Sequence, residues 1–516
     1  MTTFSRRLTT MQSCPFLFCV VYFVLSSSFA SLAHAQPVVV SADAESPGDE
    51  HTSKDSPSPN TLPDDDKMVL DSDVHVKDQP ADALKKKISV DLKSTVEDVE
   101  AGKVAEDAPK DPHAPRWGFA ATPKVILNSD TGFGLGLRGN AFLYAKGALP
   151  YKAKIGAQVY MTTKLIQDHY LSLDAIDVFD LPIRVLGQVG YYQNIVQNFC
   201  GFGNQTTCDE NIPRRQALAM DLNPAERVEF VNRYYQHRYI RPYARGEARW
   251  RFNQKPNKVE IFGGVRAHLY QSGDWFDNDD TPGPDLYPYP GSLFDKTYPD
   301  GDSGLATVFQ AGIMLDNRDN EPAPSKGYWL EASARVAPPG MSRWIYGAVN
   351  GTVRCYLPLM GKTLVLAQRY VVDLAMGDMP VQEMVRIGGS FDYTAFGGRE
   401  IGRGIRVQRQ VGRIKVLSQQ ELRYNLPSFE LLYQELQFGF AAFLDGGVIG
   451  QDWGIPNTFV GRPVQDFGGD PFAVAIGAGV SFRFIWNQNF VMRLDLAFSP
   501  VEGYRPSVYS GPDHPF

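Results

Sequence analysis

The chain has 516 residues, 43% of them hydrophobic and 21% charged, and a net charge of −7. That composition excludes a wholly disordered chain, and the charge carries no footprint of nucleic-acid binding, so no nucleic-acid partner is expected. A mean hydropathy of −0.26, with no long apolar run beyond position 30, excludes a helical membrane protein. Plentiful glycine (47) alongside 31 Phe and 24 Tyr suits strands better than helices.

Residues 1–35 read as a secretory signal peptide: Arg6 and Arg7 form the positive start, Pro15 to Leu25 the apolar stretch, and Ala33-His34-Ala35 a small-residue cleavage site. Residues 36–115 change character. From 37 onward they hold 19 Asp/Glu against 9 Lys/Arg, with many Pro and Ser, which predicts a disordered acidic linker, with a short amphipathic helix over Asp82 to Glu106 as the alternative there. Residues 116–516, with 40 Lys/Arg and 39 Asp/Glu, form the folded domain. Cys14 and Cys19 leave with the signal. Cys200 and Cys208, in a Gly/Asn/Thr-rich stretch, can close a loop disulfide in an oxidising compartment, two free thiols being the alternative.

From Trp117 onward, polar and apolar positions alternate in long segments. The predicted strands lie near 117–127, 132–144, 152–163, 167–177, 183–193, 237–252, 257–270, 304–316, 326–337, 343–356, 363–374, 414–425, 434–447, 472–485, 489–498 and 506–516. In the sixth, Tyr243, Arg245, Glu247, Arg249 and Arg251 share one face, and Ala244, Gly246, Ala248, Trp250 and Phe252 the other. Close-spaced charges on one face of long strands suit a polar lumen, with lipid on the other face. The long gaps, 194–236, 271–303, 375–413 and 448–471, all fall on odd-numbered connections. A barrel with both ends in the periplasm segregates loop length in this way, and a soluble sandwich has no reason to. The predicted fold is all-β: a transmembrane antiparallel β-barrel of about 16 strands, preceded by the acidic segment. Tyr234, Tyr235 and Trp275, near strand ends, are expected in the aromatic girdles.

Several motifs follow in order. Gly201-Phe202-Gly203-Asn204 comes first, then Asp316-Asn317-Arg318-Asp319-Asn320 leading through Pro324 to Lys326-Gly327. Gly388-Gly389 precedes Arg403-Gly404. Glu421-Leu422-Arg423, Phe443-Leu444-Asp445-Gly446-Gly447 and Arg493-Leu494-Asp495 complete the series. In this order and placement, residues 116 to 516 resemble the barrel of the BamA/TamA superfamily of outer-membrane proteins, also called bacterial surface antigens. The resemblance implies that the sixth outer loop folds into the lumen, where the arginine of an Arg-Gly-aromatic tip meets acidic groups on strands twelve and thirteen. The matching residues are Arg403 and Gly404 on the loop, Glu421 on strand twelve and Asp445 on strand thirteen, and alternation turns both carboxylates inward. Charges lining a wet pore are the bland alternative. Ile405 departs from the pattern by standing where the family has an aromatic residue, so Arg399 or Arg406 could serve in place of Arg403. Residues 37–115 also lack the strand patterning of the small periplasmic modules that assembly members carry.

The resemblance implies an outer-membrane protein of a Gram-negative cell, with its N-terminal segment in the periplasm, outer-membrane lipid around it, and periplasmic or secreted polypeptides as clients. A passive pore or surface antigen is the alternative. Asp274, Asp277, Asp279, Asp280 and Asp285 crowd the fourth outer loop, where hard oxygen ligands could hold Ca²⁺, but their spacing fits no defined site and a solvated acidic loop is the favoured reading, so neither metal nor cofactor is expected. His169, His237 and His268 have no serine partner in a recognisable motif, and no enzyme activity is expected.

Overall fold

The computed structural model describes residues 116–145, 151–203, 208–253, 257–272, 291–298, 301–390, 393–394, 396–431, 434–450, 474–486, 490–512 and 516. The expected signal peptide, acidic segment, Asn204, Trp275 and acidic loop cluster lie outside them.

Sixteen principal strands form one closed antiparallel barrel. They are β1 (Arg116–Asn128), β2 (Gly132–Tyr144), β3 (Ala153–Thr162), β4 (Gln167–Ala175), β5 (Ile183–Asn198), β6 (Gln236–Arg251), β7 (Lys258–Tyr270), β8 (Gly304–Asp316), β9 (Gly327–Ala337), β10 (Tyr346–Met360), β11 (Leu364–Gly377), β12 (Ile414–Asn425), β13 (Gln434–Gly450), β14 (Ala475–Trp486), β15 (Phe490–Phe498) and β16 (Ser507–Pro512). A three-residue strand, Phe429–Leu431, extends the β12–β13 hairpin. Each strand pairs with its sequence neighbour, so every connection is a hairpin. The odd-numbered connections include the long ones, 199–235, 271–303, 378–413 and 451–474, whereas the longest even-numbered one is 317–326.

The faces are inverted relative to a soluble protein. On β14, Ile476, Val480 and Phe482 are exposed while Ser481 and Arg483, on either side of Phe482, are buried; on β12, Leu422 is exposed while Glu421 and Arg423 are buried. Apolar side chains outward and ionised ones inward are stable only where hydrocarbon surrounds the barrel, and closure pairs the backbone groups that lipid could not satisfy. Among the described residues no helix is long and apolar enough to cross a membrane.

Closure is uneven. β1 pairs with β2 along its whole length, but among the described residues its register with β16 is the single pair Asn128 opposite Tyr509. Around that point Ser129 N donates to Val508 O at 3.0 Å, Leu127 N to Ser510 Oγ at 2.7 Å, and Val508 N to Ser129 Oγ at 2.8 Å. The sixteenth strand, expected to run to 516, is described as far as Pro512, which brings no N–H to the ladder. Phe516 lies instead in an inward cluster with Tyr356, Val365 and Ala367.

The long-loop end carries a small domain of its own. Helices α1 (Asn211–Ala219) and α2 (Pro224–Arg233) belong to the third loop, and α3 (Leu293–Thr297) to the fourth. A capping box starts α2: Asn223 Oδ1 accepts from Glu226 N and Glu226 Oε2 accepts from Asn223 N, both at 2.9 Å. Phe199, Phe230, Tyr234, Phe294 and Tyr298 pack together beneath. Tyr234 and Tyr235 are therefore not girdle residues. Tyr234 is buried in this core, and Tyr235 Oη donates to Asp209 O at 2.9 Å; they lie in a folded loop, where apolar contact competes with the lipid interface.

Candidate functional site inside the barrel

The sixth loop, 378–413, runs along the inner wall of β7–β15, touching it through successive polar anchors. Its first turn, α4 (Val381–Met384), is buried. There Glu383 accepts from Tyr270 Oη at 2.6 Å and sits 2.8 Å from His268 Nδ1 and 3.2 Å from Arg266 Nη2. Next, Gly388 N donates to Asp373 Oδ2 at 2.9 Å. Asp373 is itself held by Arg335, at 2.7 and 2.9 Å, and by Lys415 at 3.2 Å. Ser390 then donates through N and Oγ to Glu331, at 2.9 and 2.6 Å.

The loop's tip is the most enclosed part. Arg403 is fully buried. Its N and Nε donate to Asp445 Oδ2 at 3.0 and 2.9 Å, its Nη2 to Asp445 Oδ1 at 2.9 Å, and its Nη1 to Glu421 Oε1 at 2.7 Å. Two parallel bonds to one carboxylate fix the guanidinium plane, and its Cζ lies 3.5 Å from the centre of the Phe443 ring, adding a cation–π contact. Glu421 also accepts from Arg483 Nη2 at 2.6 Å and Arg423 Nε at 2.9 Å. Asp495 lies 3.8 Å from Arg403 and pairs with Arg493. Four guanidiniums and three carboxylates thus share one buried cluster.

Backbone shape lets the tip approach so closely. Gly404 has φ +92, and a Cβ there would stand 2.8 Å from the backbone of Phe498; a Cβ at Gly477 on β14 would run into the Arg403 carbonyl oxygen. Gly404 N donates to Tyr509 Oη on β16, at 3.2 Å, so the tip also touches the weakly paired seam strand. Phe396, Ile401 and Ile405 pack with Val371, Leu417 and Ile449 beside the ion cluster. Ile405, the departure from the family pattern, fills this apolar space.

The structure thus brings together Arg403, Gly404, Glu421 and Asp445. Arg399 and Arg406 do not replace Arg403: Arg399 lies 3.2 Å from Glu400, and Arg406 3.2 Å from Glu502. Cys200 and Cys208 are joined as a disulfide, Cα atoms 5.2 Å apart. Within the loop it closes, Gly203 N donates to Val411 O at 2.7 Å, tying the third loop to the sixth. Sequence reasoning gave no role to Arg483, Gly477 or Tyr509. Strand alternation turns Arg483 inward, and that signal was available.

Outside the strands, Asp130 in the first loop is also shifted. Burial pushes its carboxyl up to about 7, against a hydrogen bond from the Val407 backbone.

Residues 229–505, which carry β6–β15 and every charge of the ion cluster, match the Omp85 superfamily domain. The chain belongs to the Omp85 superfamily. The expected BamA/TamA resemblance is borne out, and Omp85 membership with an outward apolar face makes this an outer-membrane barrel. Among solved structures, this Omp85 protein is similar to BamA from Haemophilus ducreyi lacking POTRA domains 1–3, with 14% identity, 77% of this chain and 70% of that one covered, and a TM-score of 0.46. It is similar to CdiB from Escherichia coli, with 12% identity, coverage of 76% and 62%, and a TM-score of 0.45. CdiB from Acinetobacter baumannii follows at 14% identity, coverage of 77% and 59%, and a TM-score of 0.42. The chain spans less than two thirds of either CdiB. No curated protein matches the chain.

Proposed function

We propose that this Omp85 protein inserts or moves polypeptide at the outer membrane of a Gram-negative cell, through a lumen plugged by its sixth loop. The short-turn end and the acidic N-terminal segment face the periplasm in this reading, and clients are periplasmic or secreted polypeptides. The Arg403 cluster carries the proposal. A loop that only lined a wet pore would not need a buried guanidinium bonded to two carboxylates of the wall, and such a pair is costly to break from one side. The sparse β1–β16 pairing beside the tip supports a client route through the wall. No enzymatic step is part of this reading: His268, the histidine nearest the loop, meets Glu383 and Tyr270.

Two measurements test it. In planar bilayers Arg403→Ala should raise conductance severalfold over the native protein; unchanged conductance would remove the plug. Depletion in cells should lower the levels of other outer-membrane barrels or of a secreted polypeptide. If both stay constant while native channels conduct freely, the protein is a passive pore or surface antigen instead.

A further inference from the structure

The sixth loop fills only one side of the lumen. On the other, β2–β7 enclose a cavity of about 220 Å³ lined by Arg138, Lys154, Asp174, Gln188, Arg245 and Glu247, with Gly389 and Ser390 of the loop at its edge. Its two carboxylates are already engaged. Asp174 takes two bonds from Arg184, at 2.8 and 2.7 Å, and one from Tyr151 Oη at 2.7 Å, which leaves Lys154 at 3.6 Å. Glu247 takes Arg249 at 2.6 Å and Gln310 Nε2 at 3.0 Å. Arg138 and Arg245 are exposed to the cavity, and neither has a carboxylate within ion-pair distance among the described residues.

The imbalance extends over this wall. At inward positions β1–β7 place eleven Lys/Arg against four Asp/Glu; beyond the strands Asp177 pairs with Arg251 and Glu383 of the sixth loop with Arg266, which still leaves cations in surplus on this wall. Like charges around a concave, low-dielectric wall focus their field into the space between them. A guanidinium presents paired donors that match the oxygens of phosphate or carboxylate.

We infer that this cavity is a binding site for small soluble oxyanions of the phosphate class, held by Arg138 and Arg245 with Lys154 as a third cation. The ligand would offset the surplus charge that the engaged carboxylates leave. The site lies apart from the Arg403 cluster and does not rest on the polypeptide-handling reading, so failure of either leaves the other standing.

Calorimetric titration of the full-length protein, in zwitterionic detergent at low ionic strength with inorganic pyrophosphate, tests it. Saturable binding near one ligand per chain is expected. It should weaken at least tenfold in the double variant Arg138→Gln, Arg245→Gln, whose heat-modifiable migration on gels should stay native because both side chains are exposed. Arg505→Gln, an exposed change in the eighth loop, should bind as the native protein does. Short-chain phosphatidylglycerol, the same phosphate on a lipid, should compete at least tenfold more weakly than pyrophosphate. Absent binding, or equal binding by the double variant, would overturn the site. Competition by the lipid at or above the strength of pyrophosphate would overturn its assignment to soluble ligands.

Discussion

Along β8–β15 the inward positions hold seven basic and seven acidic side chains, and the sixth loop lies against them; along β1–β7 they hold eleven and four, and apart from the contact of Glu383 with β7 the lumen beside them is open. The difference shows what lets a loop rest inside a barrel. Charges can be stripped of water where each finds a partner, as Asp373 does with Arg335 and Lys415, because pairing offsets desolvation. Where cations outnumber carboxylates no protein segment can cover them cheaply, and water or a mobile anion must remain. The filled half is therefore the half whose charges balance.

The largest expected effect comes from breaking the balance in the filled half. Glu421→Gln leaves Arg403, Arg423, Arg483 and Arg493 facing only Asp445 and Asp495, with three guanidiniums deprived of their shared ionised partner. The expected cost is about 3–5 kcal/mol, the range for removing one side of a buried pair. Arg403→Ala leaves three guanidiniums and three carboxylates on the wall, so it should free the loop with the smaller loss of stability. Heat-modifiability on gels measures this order: the temperature at which the folded band is lost should fall further for Glu421→Gln than for Arg403→Ala. The reverse order would show that the loop, not the wall, depends on the cluster.

A smaller effect separates packing from charge. Gly477→Val keeps every ion pair of the cluster but puts a side chain where the Arg403 carbonyl lies. The tip should lift from β14, and conductance should rise as in Arg403→Ala but by less, because Arg403 can still reach Asp445 from a shifted backbone. Conductance equal to the native protein would mean that β14 yields instead of the loop.

Much of this contrast was legible in the sequence. The barrel could be read because its strands alternate with inverted faces and its loop lengths segregate by parity, both imposed directly by lipid. Arg403, Glu421 and Asp445 could be placed through the family resemblance, and alternation alone turned the two carboxylates inward. The electrostatic division into halves follows from the same alternation but needs the barrel closed before neighbouring strands can be summed. The third-loop helices were missed because α1 and α2 are short; the Asn223-to-Glu226 capping box was their available signal. Tyr234 and Tyr235 were misplaced because an aromatic near a strand end serves equally a lipid girdle or a folded loop, and only the packing around Phe230 and Phe294 decides. The position of Phe516 has no local signature, since Tyr356, Val365 and Ala367 reach it only through the closed barrel.

The smallest predicted effect lies where the two halves meet at the seam. Asp130, in the turn between β1 and β2, is half-buried, with Oδ2 shut off from solvent and unpartnered among the described residues. Burial raises its carboxyl to about 7, against about 3.9 in an unfolded chain. Between those values the folded state holds a proton that the unfolded state has released. The stabilising contribution is therefore complete below about pH 4 and is lost as pH rises through 7. Since Asp130 accepts from the Val407 backbone, the exit of the sixth loop should loosen on the alkaline side. Tryptic cleavage after Arg406 and Arg409 reads this, taken as the ratio of native protein to Asp130→Asn at each pH so that the protease's own pH response cancels. The asparagine stays neutral, so the ratio should already exceed one at pH 6, rise severalfold further by pH 8 and level off above it. A ratio that does not change with pH would show that Asp130 is ionised throughout and that the seam takes no part in holding the loop.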